Sequence, residues 1–178
     1  MNLPNKLTVA RMVMIVPFVI CMMLSGTGSL RFLALAIFII ASLTDLLDGY
    51  LARKHHLITN FGKFMDPLAD KLLVSAAMIC LVSLGRLPAW IVIIIISREF
   101  AISGFRLIAS DNGIVIAAGW WGKCKTVVQL FMIMFVIADF GGIFTVIEQI
   151  LIWAALVLTI VSLVDYVWKN KEVLNMQS

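Results

Sequence analysis

The sequence has few charged residues for its length. Asp, Glu, Lys and Arg together make up 13% of its 178 residues, whereas hydrophobic residues reach 62%. Soluble domains carry about 25% charged residues, and they need polar side chains over much of their surface. The composition therefore excludes an ordinary soluble enzyme, a disordered chain and a nucleic-acid-binding module. Basic loops facing an anionic membrane surface explain the net charge of +4.

Cysteine and histidine are also scarce. The chain has three cysteines, and its two histidines are the adjacent pair His55 and His56. An odd number of cysteines does not indicate a disulfide framework. Two neighbouring histidines without a Cys or His partner at a suitable spacing do not indicate a zinc site. The sequence therefore disfavours both a disulfide-linked scaffold and a structural zinc centre.

Long hydrophobic segments are abundant instead. Spans of about 20 residues with short loops fit six or seven times into a chain of this length. We predict an all-α integral membrane protein with six transmembrane helices, forming a single domain over residues 1–178. Turn and charge signals place the spans at about residues 7–24, 30–53, 66–85, 88–109, 123–140 and 146–168.

The Lys and Arg residues predict the orientation of these spans. With a cytoplasmic N-terminus, eleven of the fourteen basic residues lie on or near the cytoplasmic side, and only Arg31 and Arg86 lie outside. Cytoplasmic loops carry such an excess of positive charge. Both termini and the two longer loops, residues 54–65 and 110–122, are therefore predicted to face the cytoplasm. We expect the active site at that end of the helices.

Four aspartates lie where the second and third spans reach the cytoplasmic side. Asp45 and Asp48 are three residues apart, and Asp66 and Asp70 are four apart. Such spacings place each pair on one helical face, provided that the third helix starts early enough. The short loop between the spans favours antiparallel neighbours, whose ends would bring the four carboxylates together. The same faces carry Gly49, Ala52, Arg53 and Gly62.

A carboxylate cluster at the rim of a membrane needs compensation. One Asp at a helix centre costs about 2.5–3.5 kcal/mol on insertion, and like charges also repel one another. Protonation or a bound divalent cation would relieve this. Oxygen ligands suit Mg²⁺ or Mn²⁺ better than zinc, and Mg²⁺ often completes its coordination with substrate phosphate. The cluster therefore suggests a phosphate-bearing substrate, although the small residues beside it also suit close helix packing.

These residues together resemble a known signature. The pattern Asp45-x2-Asp48-Gly49-x2-Ala52-Arg53, eight residues, Gly62-x3-Asp66-x3-Asp70 is similar to that of the CDP-alcohol phosphotransferase family, with each defined position filled. The resemblance implies a membrane enzyme that uses two divalent cations, Mg²⁺ or Mn²⁺, at a CDP pyrophosphate. It implies that Asp70 is the catalytic base. The implied metal ligands are Asp45, Asp48, Asp66 and Asp70, and the implied CDP-binding residues are Asp45, Gly49, Ala52, Arg53 and Gly62.

Three further segments resemble the bacterial members of the family that use glycerol 3-phosphate as the acceptor. They are residues 2–8 with Arg11, residues 97–106, and residues 122–126. This resemblance implies transfer of a phosphatidyl group from CDP-diacylglycerol to sn-glycerol 3-phosphate, with release of CMP. It also implies a homodimer surrounded by lipids in the plasma membrane of a bacterium.

Three cations flank the second long loop and suit an acceptor that carries a phosphate. Arg106, Lys123 and Lys125 are predicted to bind that phosphate through charge-assisted hydrogen bonds. They could instead contact lipid headgroups, and Arg98 and Glu99 either serve the site or form a buried pair. Two other functions stay open: transfer to another acceptor, such as phosphatidylglycerol, and a small ion-coupled transporter. Aspartates clustered at one end of the spans disfavour the transporter.

Overall fold

Six α-helices form the regular structure of the described part of the chain. The computed structural model describes residues 3–25, 28–54, 60–111 and 119–170, with side chains described for residues 9–25, 28–44, 68–69, 71–106, 109 and 119–170. An all-α fold with six helices is thus confirmed over these ranges. In chain order the helices are α1 (Leu3–Met23), α2 (Gly28–Lys54), α3 (Asn60–Ser83), α4 (Ala89–Asp111), α5 (Trp120–Ala138) and α6 (Phe144–Lys169).

The third helix begins earlier than the sequence predicts. We expected a start at residue 66, but α3 starts at Asn60, so that Pro67 lies in the helix interior. The prediction was wrong because it gave the proline its preferred place in the first turn, where its missing N–H costs nothing. Membrane helices tolerate an interior proline when neighbouring groups satisfy the freed carbonyl, and Pro17 lies inside α1 in the same way. The earlier start gives three signature positions one continuous helix: Gly62, Asp66 and Asp70.

The first of two compact units contains α1, α2 and α3. It comprises Met1–Leu87 together with Val136–Asp139. Helix α1 packs against both α2 and α3, and α2 also contacts α3. Phe18 and Phe38 meet in the core with ring centroids 5.9 Å apart, and both are fully buried. Small residues on the buried faces, Ala34 of α2 and Ala77 of α3 among them, allow the helices to approach closely.

The second unit contains α4, most of α5, and α6. It comprises Pro88–Phe135 and Phe140–Ser178. Trp90 near the start of α4 lies against Trp153 of α6, with centroids 6.1 Å apart. Phe105 near the end of α4 meets Tyr166 of α6 edge-on at 5.6 Å. Since both contacts advance in the same direction along the two helices, α4 and α6 run parallel, as alternating spans require.

Helix α6 has its polar side chains inside and its large apolar side chains outside. Its buried residues include Glu148, Thr159 and Ser162. Ile150, Trp153, Val157, Ile160 and Val164, which recur every three or four residues, are instead about half exposed or more. An apolar outer face of this extent is costly in water and stable in lipid. The arrangement is therefore typical of a membrane-embedded helix.

Two helices in the described part of the chain are long and apolar enough to cross a membrane. These are Trp120–Ala138 and Phe144–Lys169, and shorter apolar stretches occur at Val9–Met23, Gly28–Thr44 and Lys71–Ser83. Helix α4 carries Arg98 and Glu99 near its middle. The structure thus agrees with a helical membrane protein, while six membrane spans remain a prediction.

Candidate active site

The two halves of the aspartate signature lie on α2 and α3. Helix α2 continues to Lys54 and α3 starts at Asn60, so only five residues separate two helices that contact each other. A connection this short makes them antiparallel neighbours. The end of α2 and the start of α3 therefore lie at the same end of the first unit. The signature side chains of Asp45, Asp48, Gly49, Ala52, Arg53, Gly62, Asp66 and Asp70 lie outside the described side chains, and their roles remain predictions.

The donor set of the signature fits a hard divalent cation. It offers carboxylate oxygens from two neighbouring helices, which is the chemistry that Mg²⁺ and Mn²⁺ prefer. Among the described residues, no group of three or more His, Cys, Asp or Glu could hold a metal ion. The signature therefore stays the candidate metal centre of this chain.

A buried arginine accompanies the signature in the first unit. Arg11 lies on α1, which packs against α2 and α3, and its side chain is only 1% exposed. A charge this deeply buried must be paired or hydrogen-bonded, because leaving it uncompensated costs several kcal/mol. From the sequence alone, Arg11 belongs to the positive-inside pattern and to an N-terminal segment that resembles the family. The Arg11 side chain therefore needs an interaction partner in the interior of the first unit.

The opposite end of the first unit carries an ion-pair cluster that the sequence analysis missed. We name Arg31, Arg86 and Asp139 the Asp139 cluster. Arg31 Nη1 donates to Asp139 Oδ2 at 2.8 Å, and Arg86 Nη2 donates to Oδ1 at 2.6 Å. The two arginines are those that the positive-inside pattern placed outside, and each shares the one carboxylate. The sequence contained one signal for this cluster: Asp139 lies on the same predicted side of the membrane as the two arginines, and its charge is opposite to theirs.

Backbone geometry positions the Asp139 cluster. Gly85 adopts a left-handed φ of 69° after α3, and the N–H of Arg86 donates to the carbonyl of Leu81 at 2.8 Å. This is a Schellman ending, for which glycine is preferred because it lacks a Cβ. Asp139 itself has a φ of 45°, in a turn that continues through two glycines. Its hydrogen bond from Arg86, together with the positive charges of both arginines, lowers its pKa below the ordinary 3.8.

A second cluster lies in the second unit and contains one of the predicted acceptor ligands. We name Arg98, Glu99 and Lys125 the Glu99 cluster. Arg98 Nη1 donates to Glu99 Oε1 at 3.0 Å, and the Lys125 ammonium donates to the same oxygen. The side chains of Lys125 and Arg98 are only 1% and 9% exposed. The structure thus shows that Arg98 and Glu99 form a part-buried pair, in which the Glu99 side chain is 19% exposed, and that Lys125 joins it.

The other two predicted acceptor ligands differ in exposure. Lys123, at the start of α5, is exposed, whereas Arg106 of α4 is half-buried. The Arg106 guanidinium carbon lies 5.6 Å from the centroid of the Tyr166 ring, within cation–π range. Lys125 meets Glu99 in the middle of α4, whereas Arg106 lies near the end of that helix. No contact among the described residues joins Arg106 to Lys123 or Lys125, so a shared phosphate site remains a prediction.

Comparison with known proteins gives the same family as the signature. The model of the CDP-alcohol phosphatidyltransferase family matches residues 1–161. A Bacillus subtilis protein named CDP-diacylglycerol–glycerol-3-phosphate 3-phosphatidyltransferase is 46% identical over 187 residues, covering 97% of each chain. A Haemophilus influenzae protein of the same name is 40% identical over 170 residues, covering 93% of this chain and 91% of its own.

A Mycobacterium tuberculosis protein is similar over nearly as much of the chain. It is named a probable phosphatidylglycerophosphate synthase, and it is 40% identical over 168 residues, which cover 93% of this chain and 80% of its own. The family match and these relatives agree with the complete signature on α2 and α3. The chain belongs to the CDP-alcohol phosphatidyltransferase family.

Proposed function

We propose that this chain transfers a phosphatidyl group from CDP-diacylglycerol to sn-glycerol 3-phosphate. The products are phosphatidylglycerophosphate and CMP. The observation that carries the proposal is the complete aspartate signature on two neighbouring helices, in a chain whose relatives bear the name of this reaction over nearly their full length. The mean hydropathy of +1.07 suits an enzyme whose donor substrate is a lipid.

The signature supplies the groups that the donor substrate needs. Asp45, Asp48, Asp66 and Asp70 would hold divalent cations, for which we propose two Mg²⁺ or Mn²⁺ ions. When bound, these cations would neutralise the pyrophosphate and the charge on the departing CMP. The CDP moiety would be bound by Asp45, Gly49, Ala52, Arg53 and Gly62.

Asp70 provides the base in this proposal. Its carboxylate accepts the proton of the acceptor hydroxyl, and that oxygen forms a bond to the phosphorus next to the diacylglycerol. The bond between this phosphorus and the pyrophosphate bridging oxygen then breaks, and CMP leaves with the electron pair. A general base of this kind contributes about 10²–10⁴-fold to the rate.

The acceptor phosphate would be bound by Arg106, Lys123 and Lys125. The Glu99 cluster supports this assignment because it holds the Lys125 ammonium, one of the three cations, beside the Arg98 guanidinium in a largely buried setting. Glu99 then orients the Lys125 ammonium, while the exposed Lys123 is free to move towards a ligand. Serine and similar acceptors without a phosphate would gain nothing from these charges.

The proposed orientation follows from the charge pattern. We propose a multi-pass protein of the bacterial plasma membrane, with its termini and active site on the cytoplasmic side. From the family resemblance we also propose that it functions as a homodimer. Pairing with Asp139 neutralises part of the charge of Arg31 and Arg86. That pairing supports the assignment, since these two arginines are the exceptions to the positive-inside pattern.

An assay with purified protein tests the reaction. The protein in lipid–detergent micelles is given CDP-diacylglycerol, Mg²⁺ and one of glycerol 3-phosphate, serine or phosphatidylglycerol. We expect CMP release and phosphatidylglycerophosphate only with glycerol 3-phosphate, and no turnover in excess chelator. Preferential use of phosphatidylglycerol would contradict the proposed acceptor.

Two variants and a matched control test the signature in the same assay. Asp66→Asn should abolish turnover, and Asp70→Asn should reduce it by about 10²–10⁴-fold while CDP-diacylglycerol still binds. Asp139→Asn is the control, because Asp139 lies at the opposite end of the first unit, where it pairs with Arg31 and Arg86, and outside the signature. Near-normal turnover of Asp70→Asn would show that Asp70 is not the base.

A further inference from the structure

Tyr166 near the end of α6 has a buried hydroxyl that the fold does not use. Its side chain is 7% exposed, and the hydroxyl has no hydrogen-bond partner among the described residues. Buried hydroxyls are nearly always hydrogen-bonded, because losing the interaction with water is otherwise uncompensated. The missing partner is therefore expected to come from a bound molecule.

The ring of Tyr166 is held firmly. Phe105 meets it edge-on at 5.6 Å with an interplanar angle of 81°, and the Arg106 guanidinium lies 5.6 Å from its centroid. The carbonyl of Tyr166 accepts two hydrogen bonds from Asn170, from the side-chain amide at 2.7 Å and from the backbone N–H at 3.2 Å. An ordered ring on a capped helical turn places its hydroxyl reproducibly.

A second unused donor belongs to Arg106. Its Nε–H is buried and has no hydrogen-bond partner within the described part of the chain. The carboxylate of Asp165, the residue before Tyr166, is bonded to Lys169 at 2.7 Å. The stacked pair of Arg106 and Tyr166 thus offers two unused donors and a positive charge, which is the pattern that recognises a phosphate group.

We propose that the Tyr166 hydroxyl, beside Arg106, donates a hydrogen bond to the phosphate of the acceptor substrate. The proposal rests on the proposed function, which assigns Arg106 to that phosphate. It adds an acceptor-binding residue from α6, a helix without any part of the signature. Tyr166 would then contribute to selecting a phosphomonoester acceptor over an alcohol without a phosphate.

The test compares Tyr166→Phe with the unchanged protein. Phenylalanine keeps the ring and its cation–π contact and removes only the hydroxyl. Loss of one hydrogen bond to a charged group should raise the KM for glycerol 3-phosphate by about 10- to 150-fold. The KM for CDP-diacylglycerol should change less than about twofold. Inorganic phosphate should compete with glycerol 3-phosphate in the unchanged protein, and its inhibition constant should rise in Tyr166→Phe by a similar factor.

Phe144→Leu is the control for packing. It changes an aromatic contact at the other end of α6, where Phe144 meets Phe135 and Phe140, so its KM for glycerol 3-phosphate should stay close to normal. An unchanged acceptor KM in Tyr166→Phe would overturn the proposal. So would a rise confined to CDP-diacylglycerol, which would place a lipid phosphate at the hydroxyl.

The outcome for the proposed function is separate. If the unchanged protein makes no phosphatidylglycerophosphate from glycerol 3-phosphate, the proposed function fails and this inference fails with it. If the unchanged protein uses glycerol 3-phosphate and Tyr166→Phe has the same KM, only this inference fails. A thermal unfolding scan of Tyr166→Phe in detergent accompanies the kinetics, and an unchanged midpoint assigns any KM effect to binding.

Discussion

The Asp139 cluster and the Glu99 cluster have the same charges in different surroundings. Each places one carboxylate between two cations. The side chains of the Asp139 cluster are 28–33% exposed, whereas Lys125 and Arg98 in the Glu99 cluster are 1% and 9% exposed. Clusters with the same set of charges therefore contribute differently to stability, because they differ in burial.

Solvent accounts for the difference. Around the Asp139 cluster, water and salt screen each charge, and exposed pairs contribute about 0–1 kcal/mol. In the Glu99 cluster the cations have lost most of their contact with solvent. Removing one partner of a buried ion pair costs about 3–5 kcal/mol. The Asp139 cluster connects helix ends, while the Glu99 cluster holds its cations away from solvent.

The largest effect is expected from Glu99→Gln. The neutral amide removes the carboxylate that Arg98 and Lys125 share, so the free energy of unfolding should fall by about 3–5 kcal/mol. Thermal unfolding in detergent measures this loss. The double variant Glu99→Gln with Lys125→Met restores the charge balance and should recover part of the stability. A single variant as stable as the unchanged protein would show that the two clusters are energetically alike.

An intermediate effect is expected on acceptor binding. If the acceptor phosphate binds at the Glu99 cluster, Lys125→Gln should raise the KM for glycerol 3-phosphate by about 10- to 150-fold, and so should Lys123→Gln if the exposed Lys123 also reaches that phosphate. Arg86→Gln should leave that KM unchanged, although it also removes one cation. Steady-state kinetics with varied glycerol 3-phosphate measure the difference. A lower yield with a normal acceptor KM would instead indicate lipid headgroup contacts.

The smallest effect is expected from Asp139→Asn, at most about 1 kcal/mol in the free energy of unfolding. Because the pKa of Asp139 is lowered in the folded protein, its contribution is fully present above the ordinary value of 3.8. It is lost as the pH falls through the lower folded value, because the unfolded chain then binds the proton more readily. Unfolding scans from about pH 6 to about pH 2 should show this loss in the unchanged protein and a smaller one in Asp139→Asn. A larger loss in the variant would contradict the assignment.

Much of the fold was predictable because long hydrophobic segments indicate membrane helices. Lipid requires helices that satisfy their own backbone groups, so six long apolar segments implied six helices. Helix ends were less predictable: α3 starts six residues before its expected start, and α5 starts three residues before. Near these helix starts, an interior proline or a polar first turn indicates a later start than the structure has. Tertiary packing determines where the helix begins.

The candidate site was predictable in part for a related reason. The residues of the aspartate signature lie within a short stretch of sequence, and within each helix their spacings follow the helical repeat. The whole signature can therefore be recognised from the sequence. The sequence leaves open whether Arg98 and Glu99 form a pair. It also does not predict that Lys125 contacts Glu99. Glu99 and Lys125 are 26 residues apart, and no spacing rule relates two helices at that distance.

By itself the sequence determined the helical class, the placement of the signature on α2 and α3, and a family membership that the comparisons bear out. Each of these depends on residue type and on separations of a few turns. Only the tertiary structure decided that Asp139 binds two arginines, one of them 108 residues away, that Lys125 shares Glu99 with Arg98, and that the ring of Tyr166 lies under Arg106. Such contacts form where helices distant in sequence pack together, and burial, which no local pattern encodes, then determines which charges need a partner.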